Sequence, residues 1–135
     1  MSTFPPIPNA LGSVFNDDVY SRRANGQVYK GRGAKYHTTA NTVTAIANAG
    51  VAIIGIFLQD INGGDVAVMK SGQYEFAEAG AAIASLFTNL AVDNVGRFVA
   101  ATTNDIIVGR NLTVAAGAGD QFVIQLYATA QSVSA

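Results

Sequence analysis

Short apolar stretches separated by turn residues dominate the chain after about residue 38. Residues 42–46 alternate between apolar and polar positions, residues 51–58 form a continuous apolar run of strand length, and residues 73–76 alternate again. Strands of this length with turn signals between them are typical of a barrel or a sandwich. The pattern therefore predicts a mainly β protein, a small β-barrel or sandwich built from hairpins.

Residues 78–90 are the one segment whose pattern also fits a helix. Apolar side chains recur at helical spacing from Ile83 to Leu90, but Gly80 weakens a helix by about 1 kcal/mol relative to alanine. A loop followed by a strand fits the same segment. The sequence thus predicts at most one short helix and leaves both alternatives open.

Two stretches repeat nearly the same pattern of strand, Gly-Asp turn and strand. Gly55 in the first stretch corresponds to Gly109 in the second, an offset of 54 residues, and Asp65 corresponds to Asp120, an offset of 55. In such a turn glycine supplies the positive φ and the aspartate accepts hydrogen bonds from the turn backbone. The difference between the two offsets means that the second copy contains one inserted residue. A one-residue slip turns every side chain of a strand to the opposite face. Either the inserted residue makes a bulge, or the first copy is covered on both faces.

The first 37 residues have a different texture. The three prolines of the chain all lie within its first eight residues, where they fix φ and disfavour helix in their neighbours. From residue 9 to residue 35 apolar side chains occur singly between glycines. We therefore predict an extended N-terminal arm over residues 1–37 and a β-barrel domain over residues 38–135.

Charge is scarce and unevenly distributed. Only 13% of the residues are charged, against about a quarter in an average soluble protein, which suits a surface that is covered by partners. The arm carries five basic and two acidic residues, whereas the remainder carries three basic and seven acidic residues. Basic residues interleaved with tyrosines suit single-stranded nucleic acid. They equally suit an acidic protein surface, which we favour over nucleic acid.

Few groups could converge on a catalytic or metal site. Cysteine is absent, and His37 is the only histidine and lacks an accompanying G-x-S-x-G motif. Asp17 and Asp18 lack the spaced carboxylates of a calcium loop, and Glu75 and Glu78 are explained by the polar face of a strand. We expect no enzymatic activity, no catalytic residue, no cofactor and no metal ion.

The sequence predicts neither a secretory signal nor a membrane span. The first eight residues lack a positive region and an apolar region. The most lipid-like run, residues 45–58, is shorter than the roughly 20 residues that a spanning helix needs. We therefore expect no membrane partner and a soluble, intracellular protein at synthesis.

Several low-information motifs follow one another between Gly50 and Leu126. They are Gly55-Ile56-Phe57-Leu58 at the end of an apolar strand, the Gly64-Asp65 turn, Val66-Ala67-Val68 leading to Ser71-Gly72, the small residues 77–84, the turn Asn94-Val95-Gly96-Arg97, and the closing copy from Val108 to Leu126. In this order they resemble the decoration, or cement, proteins of tailed bacteriophage capsids. The resemblance covers a little over half of the chain.

The resemblance implies a structural role. Such proteins are small β-rich barrels on the outside of the head, often trimeric, that clamp neighbouring major capsid subunits against internal DNA pressure. It therefore implies a virion protein on the capsid exterior that binds the major capsid protein and associates with itself, as a homotrimer or as a homodimer. This chain departs from many relatives in the length of its N-terminal part.

We place the capsid- or partner-binding residues on the arm. They are Phe4, Pro5, Pro6, Ile7, Phe15, Arg22, Arg23, Lys30, Arg32 and Lys35. The alternative is a tail or fibre accessory module that binds a host glycan or another virion protein. In that case we expect Tyr74 and Tyr127 to form a shallow surface site.

Overall fold

The computed structural model describes residues 19–127 and 132–133, and all of their regular secondary structure is β-strand. The strands are β1 (Val19–Val28), β2 (Gly33–Tyr36), β3 (Thr42–Ala45), β4 (Gly55–Phe57), β5 (Ile61–Met69), β6 (Gly72–Glu78), β7 (Asn89–Val92), β8 (Phe98–Ala100), β9 (Ile106–Ile107), β10 (Gly109–Asn111), β11 (Gln121–Leu126) and β12 (Ser132–Val133). The prediction of a mainly β protein is confirmed.

The first five strands close into a barrel in the order β1-β3-β2-β4-β5, with β5 paired back to β1. β1 and β3 run parallel, and the other neighbours run antiparallel. Strand alternation directs one side chain in two toward the interior. The buried residues of this first core are Ala24, Val28, Ala34, Val43, Phe57, Val66 and Val68.

A second, five-stranded sheet lies beside the barrel in the order β6-β11-β10-β7-β8. Its two edge strands approach each other through a bridge between Ala79 and Phe98, so the sheet curls around a core of its own. Phe98 and Phe122 meet edge to face in that core, with ring centroids 6.3 Å apart. β9 and β12 form a small separate pair.

The C-terminal end of β5 is buried on both of its faces. Val66 and Val68 point into the barrel, whereas Met69 packs with Ile56 of β4 in the core of the second sheet. The first copy of the repeat therefore contributes to both cores. This is one of the two arrangements that the one-residue slip allowed.

The second copy of the repeat lies in the other sheet as β10 and β11, and its register differs from that of the first. Ile56 pairs with Met69. Its equivalent, Arg110, pairs with Gln125, one residue beyond the equivalent of Met69. The two hairpins are thus similar in sequence but offset by one residue in pairing.

The glycines of the first copy do not form the predicted hairpin turn. Gly63 and Gly64 lie inside β5 with φ of 74° and 91°. Opposite them, the pairing with β1 shifts register between Ala24 and Gln27. Positive φ at these positions accommodates an irregularity in the ladder. The Gly-Asp turn predicted for the first copy is therefore wrong.

In the second copy the predicted turn does form. The Asp120 carboxylate accepts hydrogen bonds from the backbone N–H groups of Ala116, at 2.9 Å, and Gly117, at 3.1 Å. Gly119, which lies between Gly117 and Asp120 in the sequence, has a φ of 89°. Glycine and aspartate therefore play the roles that the sequence assigned to them.

The boundary predicted after residue 37 falls inside the barrel. β1 and β2 are strands of the closed sheet, so the prediction of an arm is wrong for residues 19–37. The residues of β1 that are buried are Ala24 and Val28, and the register shift lies between them. A regular apolar alternation is therefore missing from the sequence of β1. Residues 1–18 lie outside the described part of the chain.

Residues 78–90 form a loop followed by β7, and the helix alternative is wrong. Ile83 exchanges two backbone hydrogen bonds with Ala115, and the Gly80 N–H donates to the Phe98 carbonyl. Neighbouring strands thus satisfy backbone groups that a helix would have paired internally. No helix in the described residues is long and apolar enough to cross a membrane.

Candidate partner-binding surface

One end of the barrel gathers basic and aromatic side chains. β1 begins there and β5 ends there, because Val19 pairs with Met69, and β2 ends there beside the start of β3, because Tyr36 pairs with Val43. We call this surface the rim. It comprises Tyr20, Arg22, Arg23, Lys35, Tyr36 and Lys70.

Two tyrosine rings of the rim are open to solvent. Tyr36 is 55% exposed, and Tyr20 is 38% exposed. The Tyr20 ring has two cationic neighbours, the Arg22 guanidinium and the Lys70 ammonium, each 5.1 Å from the ring centroid. Cations at this distance are attracted to the face of the ring.

The rim is positive, although one carboxylate lies near it. Asp65 of β5 is directly opposite Arg23 of β1. Among the residues that the structure describes, four basic rim residues against this one acidic residue leave an excess of positive charge at neutral pH. Charge is also divided along the chain, since residues 19–71 carry six basic and two acidic side chains and residues 72–127 carry two basic and five acidic ones. The barrel is therefore suited to an acidic partner.

Arg32, predicted to bind a partner, joins the barrel to the second sheet. Its guanidinium donates to Glu78, with Nε 3.0 Å from Oε1 and Nη2 3.2 Å from Oε2. Arg97 lies 4.0 Å from the same carboxylate and donates from Nε to Asp93 Oδ2 at 3.3 Å. Arg32 also lies over the ring of Tyr29. Its charge is thus largely used within the molecule.

Lys30 lies at the same junction and away from the rim. Its backbone N–H donates to Asp60 Oδ1 at 2.8 Å, and its ammonium lies 4.8 Å from the centroid of the Phe76 ring. The adjacent Gly31 accepts a hydrogen bond from the Glu78 N–H at 2.9 Å. A Cβ at Gly31 would overlap the Phe76 carbonyl oxygen. Glycine therefore lets the barrel approach the second sheet.

The structure thus divides the predicted binding residues into three groups. Arg22, Arg23 and Lys35 lie on the strands that meet at the rim, whereas Lys30 and Arg32 belong to the junction. Arg22 and Arg23 are consecutive residues of β1 and therefore lie on opposite faces of that strand. The third group lies outside the described residues and consists of Phe4, Pro5, Pro6, Ile7 and Phe15.

Lys70 of the rim was not among the predicted binding residues. It lies far from the basic tract along the chain and reaches Tyr20 only because β5 ends where β1 begins. No local motif marks such a residue. Lys70 could be placed beside Tyr20 only if residues 61–69 were already known to pair with residues 19–28.

A second exposed surface lies at the end of the second sheet that is farther from the rim. Residues 80–88 and residues 112–119 meet there through the Ile83–Ala115 bridge. Leu86, Phe87 and Val114 are all more than half exposed on these loops. We call this surface the tip.

A buried asparagine holds the tip loops together. Asn111 is fully buried, and its Oδ1 accepts a hydrogen bond from the Thr88 N–H at 2.7 Å. Its Nδ2 donates to the carbonyls of Ser85, at 2.8 Å, and Thr113, at 3.1 Å. One side chain therefore ties both loops to β10.

Phe87 adopts an unusual backbone conformation at the tip, with a φ of 59°. A bulky residue rarely occupies this left-handed region, at a cost of order 1–3 kcal/mol. Its N–H donates to the Asn111 carbonyl at 3.0 Å, and the Arg110 guanidinium lies 4.9 Å from its ring centroid. The surrounding structure thus presents the ring to solvent.

His37 and Tyr74 are two further candidate groups in the described part of the chain. His37 Nδ1 accepts a hydrogen bond from the Thr39 N–H at 3.2 Å. Burial, and secondarily the negative charge of Asp60, raises the pKa of the Tyr74 phenol. Among the described residues, no group of three or more histidine and acidic side chains could hold a metal ion.

Tyr74 and Tyr127 do not share a surface. Tyr74 pairs with Ile124, and Leu126 pairs with Gly72. Continuing this register places Tyr127 three rungs from Tyr74, on the opposite face of the sheet. The shallow two-tyrosine site expected for a glycan-binding module is therefore not formed.

Comparison with known proteins shows a likeness of structure. No protein-family model matches the sequence, and no curated protein is significantly similar to it. Among solved structures, the fold is similar to the N base of the head fiber protein gp8.5 of bacteriophage phi29. The likeness has a TM-score of 0.65 and 17% sequence identity, and it covers 81% of this chain and 92% of that one. At this identity the likeness defines a shared fold.

Proposed function

We propose that this chain is a structural protein of a bacteriophage virion, attached to the outside of the head. The observation that carries the proposal is the fold shared with nearly the whole N base of a phage head fiber protein. The resemblance of its motifs to capsid decoration proteins supports the same class of function. The proposed role is structural and not catalytic.

Within that role, the chain binds the assembled capsid and stabilises contacts between major capsid subunits. The rim supports this part of the proposal because Arg22 and Lys70 lie over the exposed ring of Tyr20, and tyrosine and arginine are enriched in protein interfaces. The partner is an acidic surface of the major capsid protein. Many copies on one shell provide avidity, so each contact can be weak. The copies associate with one another as homotrimers or homodimers.

Fractionation of purified particles tests the class of function. Particles of the phage that encodes the chain are banded on a density gradient, and the chain is quantified by mass spectrometry in the particle band and in the soluble fraction. The proposal predicts the chain in the particle band, accessible to added protease on intact heads. Its confinement to the soluble fraction would contradict the proposal.

Treatment of the same particles with nuclease separates a protein partner from a nucleic-acid partner. The proposal predicts that the chain stays bound after nuclease digestion and is released by salt, because salt screens exposed charges. Release by nuclease alone would assign the rim to nucleic acid.

A further inference from the structure

The tip combines exposed apolar side chains with loops that carry no charged residue of their own. Residues 79–92 and residues 111–119 contain no acidic or basic side chain. Leu86, Phe87 and Val114 are exposed by 52%, 57% and 52%, and the Arg110 guanidinium lies over the Phe87 ring. Exposed apolar side chains with few charged neighbours are typical of the centre of an interface, where charged residues are depleted.

The Phe87 ring is held in place and is not a loop residue that merely failed to pack. Its left-handed backbone is fixed by a hydrogen bond to β10, and the Asn111 side chain ties the flanking residues to the same strand. Strained conformations that the surrounding structure maintains occur preferentially at functional positions. The tip is therefore a preformed receptor surface.

The same chain contains a segment of matching chemistry. Residues 1–16 carry no charged side chain and include Phe4, Ile7, Leu11, Val14 and Phe15 together with three prolines. Proline lacks an N–H, so binding of this segment to apolar side chains leaves fewer backbone donors without a partner. Proline-rich segments characteristically bind surfaces that display aromatic rings.

The length of the segment permits this contact. β1 begins at the rim, which lies near the last residue of β11, and the tip lies next to the first residue of β11. The six residues of β11 span about 20 Å. The 18 residues before Val19 reach at most about 60 Å. The segment is therefore long enough to reach the tip of its own copy or of a neighbouring copy.

We propose that the tip binds residues 1–16 of this chain, with Phe87 as the central contact. The basic rim and the apolar tip then have different partners. The rim binds an acidic surface, and the tip binds residues 1–16. The contact joins residues before β1 to the far end of the second sheet, and between two copies it links them.

Paramagnetic relaxation in the full-length protein tests the proposal. The chain contains no cysteine, so Ser2→Cys provides a single attachment site for a nitroxide. Amide signals of residues 80–88 and 112–118 are expected to be lost to broadening and to return on reduction of the nitroxide. Broadening elsewhere with none at the tip, or no broadening at all, overturns the proposal.

A sample that mixes isotope-labelled copies without the nitroxide and unlabelled copies with it identifies the source of the segment. Broadening at the tip in this mixture means that the segment comes from a neighbouring copy. Broadening only when both labels are on one chain means that it comes from the same copy. Either result supports the contact.

The variant Phe87→Asn separates binding from folding. Asparagine tolerates the left-handed backbone better than phenylalanine, so the fold is expected to persist while the ring is lost. The tip signals are then expected to escape broadening. Val95→Asn removes an apolar side chain of the β7–β8 turn that is 40% exposed, and it leaves the broadening unchanged. Equal broadening in wild type and Phe87→Asn, with the fold intact, overturns the proposal.

Discussion

Arg32 and Glu78 connect the barrel to the second sheet through two nearly parallel hydrogen bonds of 3.0 Å and 3.2 Å. Arg32 lies in the loop between β1 and β2, and Glu78 ends β6. Bidentate pairs of this kind are geometrically specific as well as charge-assisted. The pair therefore fixes the relative position of the barrel and the sheet.

We predict that Glu78→Gln destabilises the protein by about 1 kcal/mol, because a partly exposed ion pair contributes modestly and the bidentate geometry is lost. Chemical denaturation at low salt measures the change. The matched control is Glu75→Gln, an exposed carboxylate on the same strand, expected to shift stability by less than about 0.5 kcal/mol. Equal stability of both variants would remove this role from the pair.

The buried amide of Asn111 predicts a larger effect. Asn111→Ala leaves the Thr88 N–H and two carbonyl groups without their partner, so we expect a loss of about 2–4 kcal/mol. Thermal and chemical denaturation measure it. Asn89→Ala, at an exposed position of β7, is the control and is expected to be nearly neutral. A near-neutral Asn111→Ala would mean that the tip loops are held by other contacts.

The repeated glycines Gly55 and Gly109 predict parallel outcomes in the two sheets. A Cβ at either position would lie 2.5 Å from a carbonyl oxygen of the opposite strand, that of Met69 or Gln125. Alanine at either position is therefore expected to cost more than about 2 kcal/mol.

Gly117→Ala is the matched control for both substitutions, because a Cβ there would meet nothing within 4 Å. We expect it to be neutral or slightly stabilising. Denaturation curves of the three alanine variants measure the contrast. A tolerated alanine at Gly55 or Gly109 shows that the neighbouring strand can move aside.

Tyr74 predicts a loss of stability at alkaline pH. Its pKa is raised in the folded protein, first by burial and then by Asp60, so the folded state disfavours the phenolate. The corresponding stabilisation is complete below the pKa of the unfolded chain and is lost as the pH rises through the folded pKa. Unfolding measured across the alkaline range is expected to depend less on pH in Tyr74→Phe. Tyr36→Phe controls for removal of an exposed hydroxyl, and identical profiles for wild type and Tyr74→Phe would contradict the prediction.

The apolar pattern predicted the mainly β fold because most strands after residue 38 alternate or form continuous apolar runs. It failed for β1, whose buried Ala24 and Val28 are separated by a shift of register. It also failed at Gly63 and Gly64, which look like a turn in the sequence but lie inside β5. In both cases the relevant constraint comes from a partner strand distant in the sequence.

The candidate surface was predictable only in part, for the same reason. The basic residues of the rim are visible in the sequence, but strand pairing decides that Arg22 joins Lys70 and that Arg32 joins Glu78. Local sequence likewise did not indicate that Phe87 is held outward, because Asn111 holds its loop from another strand. Charge composition indicates which residues can bind, and the closed barrel decides which of them meet.

Co-sedimentation with purified heads tests the central claim most directly. Wild-type chain, Lys70→Glu and Lys30→Glu are each mixed with heads that lack the chain, and pelleted protein is measured at low and high salt. Lys30→Glu makes the same change in net charge at the junction instead of the rim. The account predicts that wild type and Lys30→Glu pellet with the heads at low salt, whereas Lys70→Glu stays in the supernatant. Wild-type chain that remains in the supernatant at both salt concentrations would contradict a role on the virion.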